Sequence, residues 1–248
     1  MGYIELAILG ELNDFLGSNG EKTRLSLPLC RRTSIKDLLE ALGPPHPEVG
    51  QLEVNGEQVD FSYRPRPGDH IRVGPQQRPV DVLSSDPLHP SPLSGERFVV
   101  DVNVGRLARK LRLLGFDAAY RHDWDDDTIA ELAASQGRIV LTKDIALLKR
   151  KIIVWGRYLR AKDPEGQLLE VLDYFGLNGP YDLLSRCLDC NVQLEPVSKE
   201  AVLHRLEPGT RRHFNTFSMC PSCHKIYWAG SHQERIMQWL REQGLEGG

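Results

Sequence analysis

No stretch of this 248-residue sequence is apolar for long enough to span a membrane, and no basic region followed by a short apolar run opens it. Both absences predict a soluble, cytoplasmic protein. Cysteine is scarce, with five residues in all, and net charge is only −3. The charge excludes a globally basic nucleic-acid binder but leaves local patches open. There is no G-x-x-x-x-G-K-[ST] phosphate loop, and no Ser/His/Asp or Cys/His arrangement reads as an activated nucleophile. Apolar side chain is plentiful: 40% hydrophobic residues over this length can supply cores for two or three domains.

Four of the five cysteines form two pairs, Cys187-Leu-Asp-Cys190 and Cys220-Pro-Ser-Cys223, with 29 residues between them. Each C-x-x-C lets two thiolates reach one ion from a tight turn, and two such turns complete a closed, structural four-cysteine zinc site in a reduced compartment. The alternatives are two disulfides or a redox C-x-x-C. The latter sits in a βαβ unit, which this segment lacks. Cys30 stands alone in an apolar run and reads as a buried, inert thiol.

Residues 81–95 hold four Ser and three Pro without sustained periodicity, the composition of a linker. Residues 1–80, before it, read as one unit. Strands are expected at Tyr3–Leu9 and Leu25–Leu29, and a helix over Ser34–Leu42 that Thr33 or Ser34 starts and Gly43-Pro44-Pro45 stops. A hairpin turns on Asn55-Gly56, and Pro67-Gly68-Asp69 leads into a last strand at His70–Val73. This order is similar to the β-grasp of ubiquitin-like sulfur carriers. Those carriers end in a free Gly-Gly tail, whereas here the chain runs on through Gly74–Pro79. Gly247-Gly248 follows a different domain and reads as a frayed end. An interaction or positioning domain is therefore expected.

Residues 96–182 alternate strand and helix. Strands are expected at Arg97–Asp101, Ala118–Arg121 and Arg138–Thr142. Helices are expected over Val104–Leu114, from Asp125-Asp126-Asp127 to Ala134, just after Asp144, and from Asp163-Pro164 to Phe175. Ile152–Trp155 is a further apolar segment. Such alternation implies a parallel sheet with helices on both faces. Residues 183–248 then form the zinc ribbon and a terminal helix.

In an open parallel sheet, ligands bind beyond the carboxyl ends of the strands. Asp101 ends one strand, Asp144 follows another by two residues, and Asp125–Asp127 enter a helix at the same edge. Converging carboxylates repel unless a cation occupies them, and hard oxygen donors suit Mg²⁺ or Mn²⁺. Such an ion activates water for phosphodiester cleavage. Each acid also has a structural reading. Asp is a favoured N-cap, which applies to Asp125 or Asp126 and to Asp144, and is the preferred reading of Asp163. Asp101 is the hardest to explain structurally.

The run Phe98-Val-Val-Asp101-x-Asn103-x-Gly105, continuing to Gly115-Phe-Asp117, resembles the Mut-seven C-terminal RNase domain family. So do Asp125-Asp-Asp127, Ile139-Val-Leu-Thr142-Lys-Asp144, and the ribbon segments around Cys187, Cys220 and Tyr227-Trp-x-Gly-Ser-His232. The match spans about 97–240. The resemblance implies a PIN-like fold with a fused zinc ribbon and, in some members, a ubiquitin-like amino-terminal domain. It further implies metal-dependent ribonuclease activity at Asp101, Asp126 and Asp144, with Asn103 a neighbour. A fourth acid, frequent in PIN nucleases, would be Asp127 or Asp163.

Arg106, Arg109, Lys110 and Arg112 fall within seven residues, and the first three share a face opposite the apolar stripe. Arg106, Arg109, Lys110 and Lys143 are the candidate RNA contacts. The stretch Lys149, Arg150, Lys151, Arg157, Arg160 and Lys162 adds six cations with no acid among them. In the ribbon, Arg211, Arg212, His213, Phe214, Phe217, Lys225, Tyr227 and Trp228 either stack on unpaired bases or form a small core. His224 and His232 are spare imidazoles near a tetrahedron that four cysteines already fill. The leading expectation is thus a ribonuclease acting on RNA, with DNA not excluded and a protein partner docking through the β-grasp domain. The alternatives are a non-catalytic RNA-binding adaptor and, more remotely, a sulfur carrier.

Overall fold

Three sheets organise the described part of the computed structural model, which comprises residues 2–17, 24–29 and 32–245. Cys30 and Gly247-Gly248 lie outside the described residues, as does the side chain of His232.

The first unit runs β1 (Gly2–Ile8), β2 (Arg24–Leu29), α1 (Ile35–Leu42), β3 (Val49–Val54), β4 (Glu57–Gln58) and β5 (His70–Pro75). Its sheet order is β2-β1-β5-β3-β4, with β1 and β5 parallel and the other pairs antiparallel. This is the ubiquitin-like β-grasp that was expected. Alternation along β1 buries Ile4, Leu6 and Ile8 against Ile35 and Leu39 of α1. Ser34 caps α1 by accepting from the Asp37 amide at 3.1 Å. Asn55 and Gly56 both take positive φ, 53° and 88°, as a two-residue hairpin turn requires.

The second unit runs β6 (Phe98–Val100), α2 (Arg106–Leu113), β7 (Ala118–Ala119), α3 (Asp126–Gln136), β8 (Ile139–Thr142), α4 (Ile145–Leu148), β9 (Gly156–Tyr158) and α5 (Pro164–Phe175). Its four strands are all parallel, in the order β7-β6-β8-β9. Phe98, Val100, Ile139 and Leu141 face α2 and α5, whereas Val99 and Val140 face α3 and α4. Both faces are therefore dry, as a parallel sheet demands. The chain moves from β6 outward to β7 and then back across to β8, so strand order reverses at β6. The crevice beyond the ends of β6 and β8 is the topological switch point.

β9 is Gly-Arg-Tyr, directly after the apolar segment Ile152–Trp155, and Arg157 is buried within it. Its guanidinium meets Glu11 at 2.7 Å, Glu48 at 2.8 Å and Glu170 at 3.1 Å, and lies 3.9 Å from the centroid of the Tyr174 ring. Arg160 pairs with Asp14 at 3.0 Å, and Lys149 donates to the Glu40 carbonyl at 2.6 Å. These cations, expected to contact phosphate, instead bind the β-grasp unit to the parallel sheet.

The Pro/Ser-rich segment after the β-grasp unit carries neither strand nor helix, yet it is packed. Val80, Val82, Leu88 and His89 are buried, and the His89 ring stacks on Trp155 at 4.1 Å.

The third unit comprises β10 (Glu195–Val197), α6 (Lys199–Val202), α7 (Pro208–His213), β11 (Phe217–Met219), β12 (Ile226–Trp228) and α8 (Ser231–Glu242). Its sheet is antiparallel, β10-β11-β12. Leu240 of α8 packs back into the core beneath α2 and α5.

Candidate active site and metal centre

Asp101 follows β6 and is 3% exposed. Its Oδ1 accepts from the Val102 amide at 2.5 Å, and its Oδ2 accepts from Thr142 Oγ1 and from Asn103 Nδ2, each at 2.5 Å. Thr142, the last residue of β8, is fully buried, and its Oγ1 accepts from the Asp144 amide at 2.8 Å. Asn103 Oδ1 accepts from the Lys143 amide at 3.1 Å. One hydroxyl and one carboxamide therefore tie the end of β6 to the end of β8.

Asp144 is the N-cap of α4: its Oδ1 accepts from the Ala146 and Leu147 amides at 2.7 and 3.3 Å. Asp125, not Asp126, caps α3, accepting from the Thr128 amide at 2.9 Å. That leaves Asp126 free of capping. Burial, followed by repulsion from Asp144 and more weakly from Asp101, holds the Asp126 carboxyl above the ordinary range, with Arg150 opposing. Arg150 lies 3.8 Å from Asp126 and also pairs with Asp127. Asp163 caps α5 by accepting from the Gly166 amide at 2.9 Å, next to Lys110 and Glu165 rather than the trio.

Among the described residues, the three aspartates do not bring ligand oxygens within 4.8 Å of one another, whereas the four cysteine sulfurs do. The cause is visible: Asp101 is turned to Thr142 and Asn103, and Asp144 to the α4 amides. As a donor set the acids offer the hard carboxylate oxygens that suit a hard cation, and such an ion would offset the repulsion on Asp126 that Arg150 already opposes.

Of the candidate RNA contacts, Arg106 is exposed and Lys143 half-buried beside the acids. Arg109 pairs with Asp189 at 3.1 Å and Lys110 with Glu165 at 2.5 Å. Arg112 is buried and points away from solvent: it donates to the Ala118, Leu188 and Asp189 carbonyls, each at 2.9 Å. Thr142 and Arg150, beside the candidate acids, were not among the candidate site residues: Thr142 entered the sequence reading only within the motif Ile139-Val-Leu-Thr142-Lys-Asp144, and Arg150 only as one cation of a basic stretch.

The cysteines fit zinc. Cys187 Sγ and Cys223 Sγ are 3.6 Å apart, close to the roughly 3.8 Å that tetrahedral Zn–S bonds of about 2.3 Å imply. Each C-x-x-C turns an amide onto its first sulfur, Cys190 to Cys187 at 3.4 Å and Cys223 to Cys220 at 3.5 Å. Asn191 and His224 close the two turns with φ of 65° and 59°, so His224 serves as a turn residue. Burial alone would raise the Cys187 thiol, but hydrogen bonds from the Tyr227 hydroxyl and the Cys190 amide bring it to about 7. Cys190 is pushed up to about 12 by burial and its neighbouring thiols. Four thiols this close ionise together only around a cation.

A ubiquitin-like β-grasp unit, a parallel α/β sheet and a four-cysteine module make up a three-part architecture. The sequence model of the Mut7-C RNAse domain matches residues 96–240, and that of the Mut7-C ubiquitin domain matches residues 1–81. The chain belongs to the Mut7-C RNAse domain family, as its motifs led us to expect. It is 29% identical over 196 residues to the Homo sapiens exonuclease mut-7 homolog, covering 69% of this chain and 19% of that protein. The chain thus spans about a fifth of the length of this curated relative. No solved structure matches it. No helix among the described residues is long and apolar enough to cross a membrane.

Proposed function

We propose that this protein is a Mg²⁺- or Mn²⁺-dependent ribonuclease whose ion is held by Asp101, Asp126 and Asp144. One observation carries the reading: Thr142 joins Asp101 to Asp144 across the switch point, while Asp126 feels the charge of both. The bound ion would supply a hydroxide nucleophile and offset charge developing on the phosphoryl oxygens. Thr142 and Asn103 fix the Asp101 carboxylate, so its orientation is set before substrate arrives. Arg106 and Lys143, exposed and half-buried at the same edge, are placed to contact the RNA backbone. A zinc ion held by Cys187, Cys190, Cys220 and Cys223 would be structural, since four thiolates leave no open position. Trp228, 37% exposed on the ribbon, offers a ring on which a base stacks. The ubiquitin-like domain leaves its outer sheet face for a protein partner.

The test is cleavage of single-stranded and structured RNA, with matched DNA, in Mg²⁺ or Mn²⁺. Asp101→Asn and Asp144→Asn should abolish cleavage while zinc content and folding persist. Activity unchanged in both variants would reject the assignment. The alternative reading, which the comparisons do not favour, is a non-catalytic RNA-binding adaptor in which the local hydrogen bonds of Asp101 and Asp144 are their whole role. RNA binding by the wild type without metal-dependent cleavage would select it.

A further inference from the structure

β9 is the edge strand of the parallel sheet. Its inner side is paired: Tyr158 stands opposite Thr142, and the Leu159 amide donates to the Thr142 carbonyl at 2.8 Å. Its outer side would present bare amides, a liability in any edge strand. Here the Tyr158 amide donates to Glu48 Oε1 at 2.6 Å, and Glu48 belongs to the β-grasp unit, in the turn before β3. Glu48 is fully buried, and its other oxygen meets Arg157 at 2.8 Å and Arg160 at 3.6 Å.

The surroundings make this contact rigid. The Tyr158 ring meets Phe15 edge-on at 5.3 Å, and Tyr158 and Ile145 pack against the β-grasp core. His46 Nε2 contacts the Ile153 carbonyl at 2.6 Å. The consequence reaches the acids in three steps. Glu48 holds Tyr158, Tyr158 is the β-partner of Thr142, and Thr142 bonds both Asp101 and the Asp144 amide. Ile145, packed on the β-grasp core, is the residue next to Asp144.

We propose that Glu48 is a positioning residue of the catalytic site. On this view the ubiquitin-like domain is a fixed part of the nuclease, standing where a fifth strand would otherwise cover β9. The inference rests on the ribonuclease reading for its kinetic consequence only; the mechanical link stands on geometry alone. Burial pushes the Glu48 carboxyl above its ordinary range, and the Arg157 guanidinium opposes that shift while holding the side chain in place.

The test is hydrogen–deuterium exchange on the full-length, zinc-loaded chain, with RNA cleavage measured in parallel. Glu48→Ala removes the acceptor for Tyr158. Exchange should accelerate about tenfold or more at residues 156–159 and also at 139–144, while the cysteine turns keep the wild-type rate. In the cleavage assay kcat should fall about tenfold with KM for RNA nearly unchanged, the mark of a group that acts on the reacting centre rather than on binding. Glu48→Gln, which keeps an oxygen facing the Tyr158 amide, should restore most of both. If Glu48→Ala does not fold, Glu48→Asp, one methylene too short to reach Tyr158, gives the same comparison in a milder form. Wild-type exchange at 139–144 in the folded variant would overturn the proposal. Faster exchange there, in a protein whose wild type cleaves nothing, would uphold the mechanical link and sink the ribonuclease reading instead.

Discussion

Thr142 Oγ1 donates to Asp101 Oδ2 at 2.5 Å across two neighbouring parallel strands, and the same oxygen receives the Asp144 amide at 2.8 Å. One hydroxyl therefore sets the aim of one candidate ligand and the backbone under another. Thr142→Val keeps the shape of the side chain and deletes the hydroxyl. It leaves the half-buried Asp144 amide without its partner, at a cost of about 1 kcal/mol. Loss of such a supporting hydrogen bond typically lowers metal affinity or activity about 10–100-fold. Thr142→Ser should retain most activity. Calorimetric Mn²⁺ titration and RNA cleavage of both variants check this. Equal behaviour of Val and Ser would show that the hydroxyl is idle.

Asp126 supplies a pH test. Burial first, and then the nearby Asp144 carboxylate, raises its carboxyl above the usual value. A raised carboxyl stays protonated to a higher pH, so ion binding should fail on acidification sooner than a free Asp, near pH 3.9, would predict. Asp144→Asn removes one repelling charge and should shift the Asp126 midpoint downward in the metal-free protein. Side-chain carboxyl chemical shifts, followed by NMR through the acid range, read it directly. An unmoved midpoint would mean that the two acids do not share a site.

The β-grasp order, the parallel α/β unit and the paired cysteines were legible because each is a local pattern. Alternation, Asn-Gly turns, caps and C-x-x-C spacing all act within a few residues. Arg157 defeated the same reading. A cation in a short strand looks like surface until its partners are known, and Glu11 and Glu48 lie in another unit over a hundred residues earlier. Arg160 and Lys149 were misread as phosphate contacts for the same reason. The candidate acids were legible as strand-end residues, and Asp125 could be told from Asp126 only once the Thr128 amide chose between them. Thr142 was legible as part of a motif but its role was not, because hydroxyls close many strands and its value lies in what stands across the sheet.

Asp117 and Asn191 join the parallel sheet to the first cysteine turn. Asn191 Nδ2 donates to Asp117 Oδ1 at 2.6 Å, and its Oδ1 accepts from the Ala118 amide at 3.1 Å. Burial would raise Asp117, but hydrogen bonds from Arg138 and Asn191 outweigh it and hold its carboxyl below the ordinary range. A lowered folded-state value means that its stabilisation is complete above the unfolded value near pH 3.9. That stabilisation is lost as pH falls through the folded value. Asn191→Gly keeps the positive φ free of strain and removes a charge-assisted hydrogen bond, for a loss of about 1.5–3 kcal/mol. Denaturant unfolding at pH 7 and pH 3 should show the wild type and variant converging at the lower pH. A constant gap would place the effect elsewhere.

Arg112 anchors the cysteine module from the other side. Its three hydrogen bonds end on the Ala118, Leu188 and Asp189 carbonyls, two of them between Cys187 and Cys190. Arg112→Met fills similar volume but leaves those acceptors without their donor; the buried Ala118 carbonyl alone sets a loss of about 1–3 kcal/mol, the two half-buried carbonyls adding less. The geometry of the two C-x-x-C turns does not depend on Arg112, so the variant should still hold one zinc per chain. Chelation should release that zinc faster than from wild type, because the first turn is no longer braced against the sheet. Metal content by mass spectrometry, thermal unfolding and chelator-driven release rates separate these effects. Wild-type release together with wild-type stability would show that the sheet and the metal centre are mechanically independent.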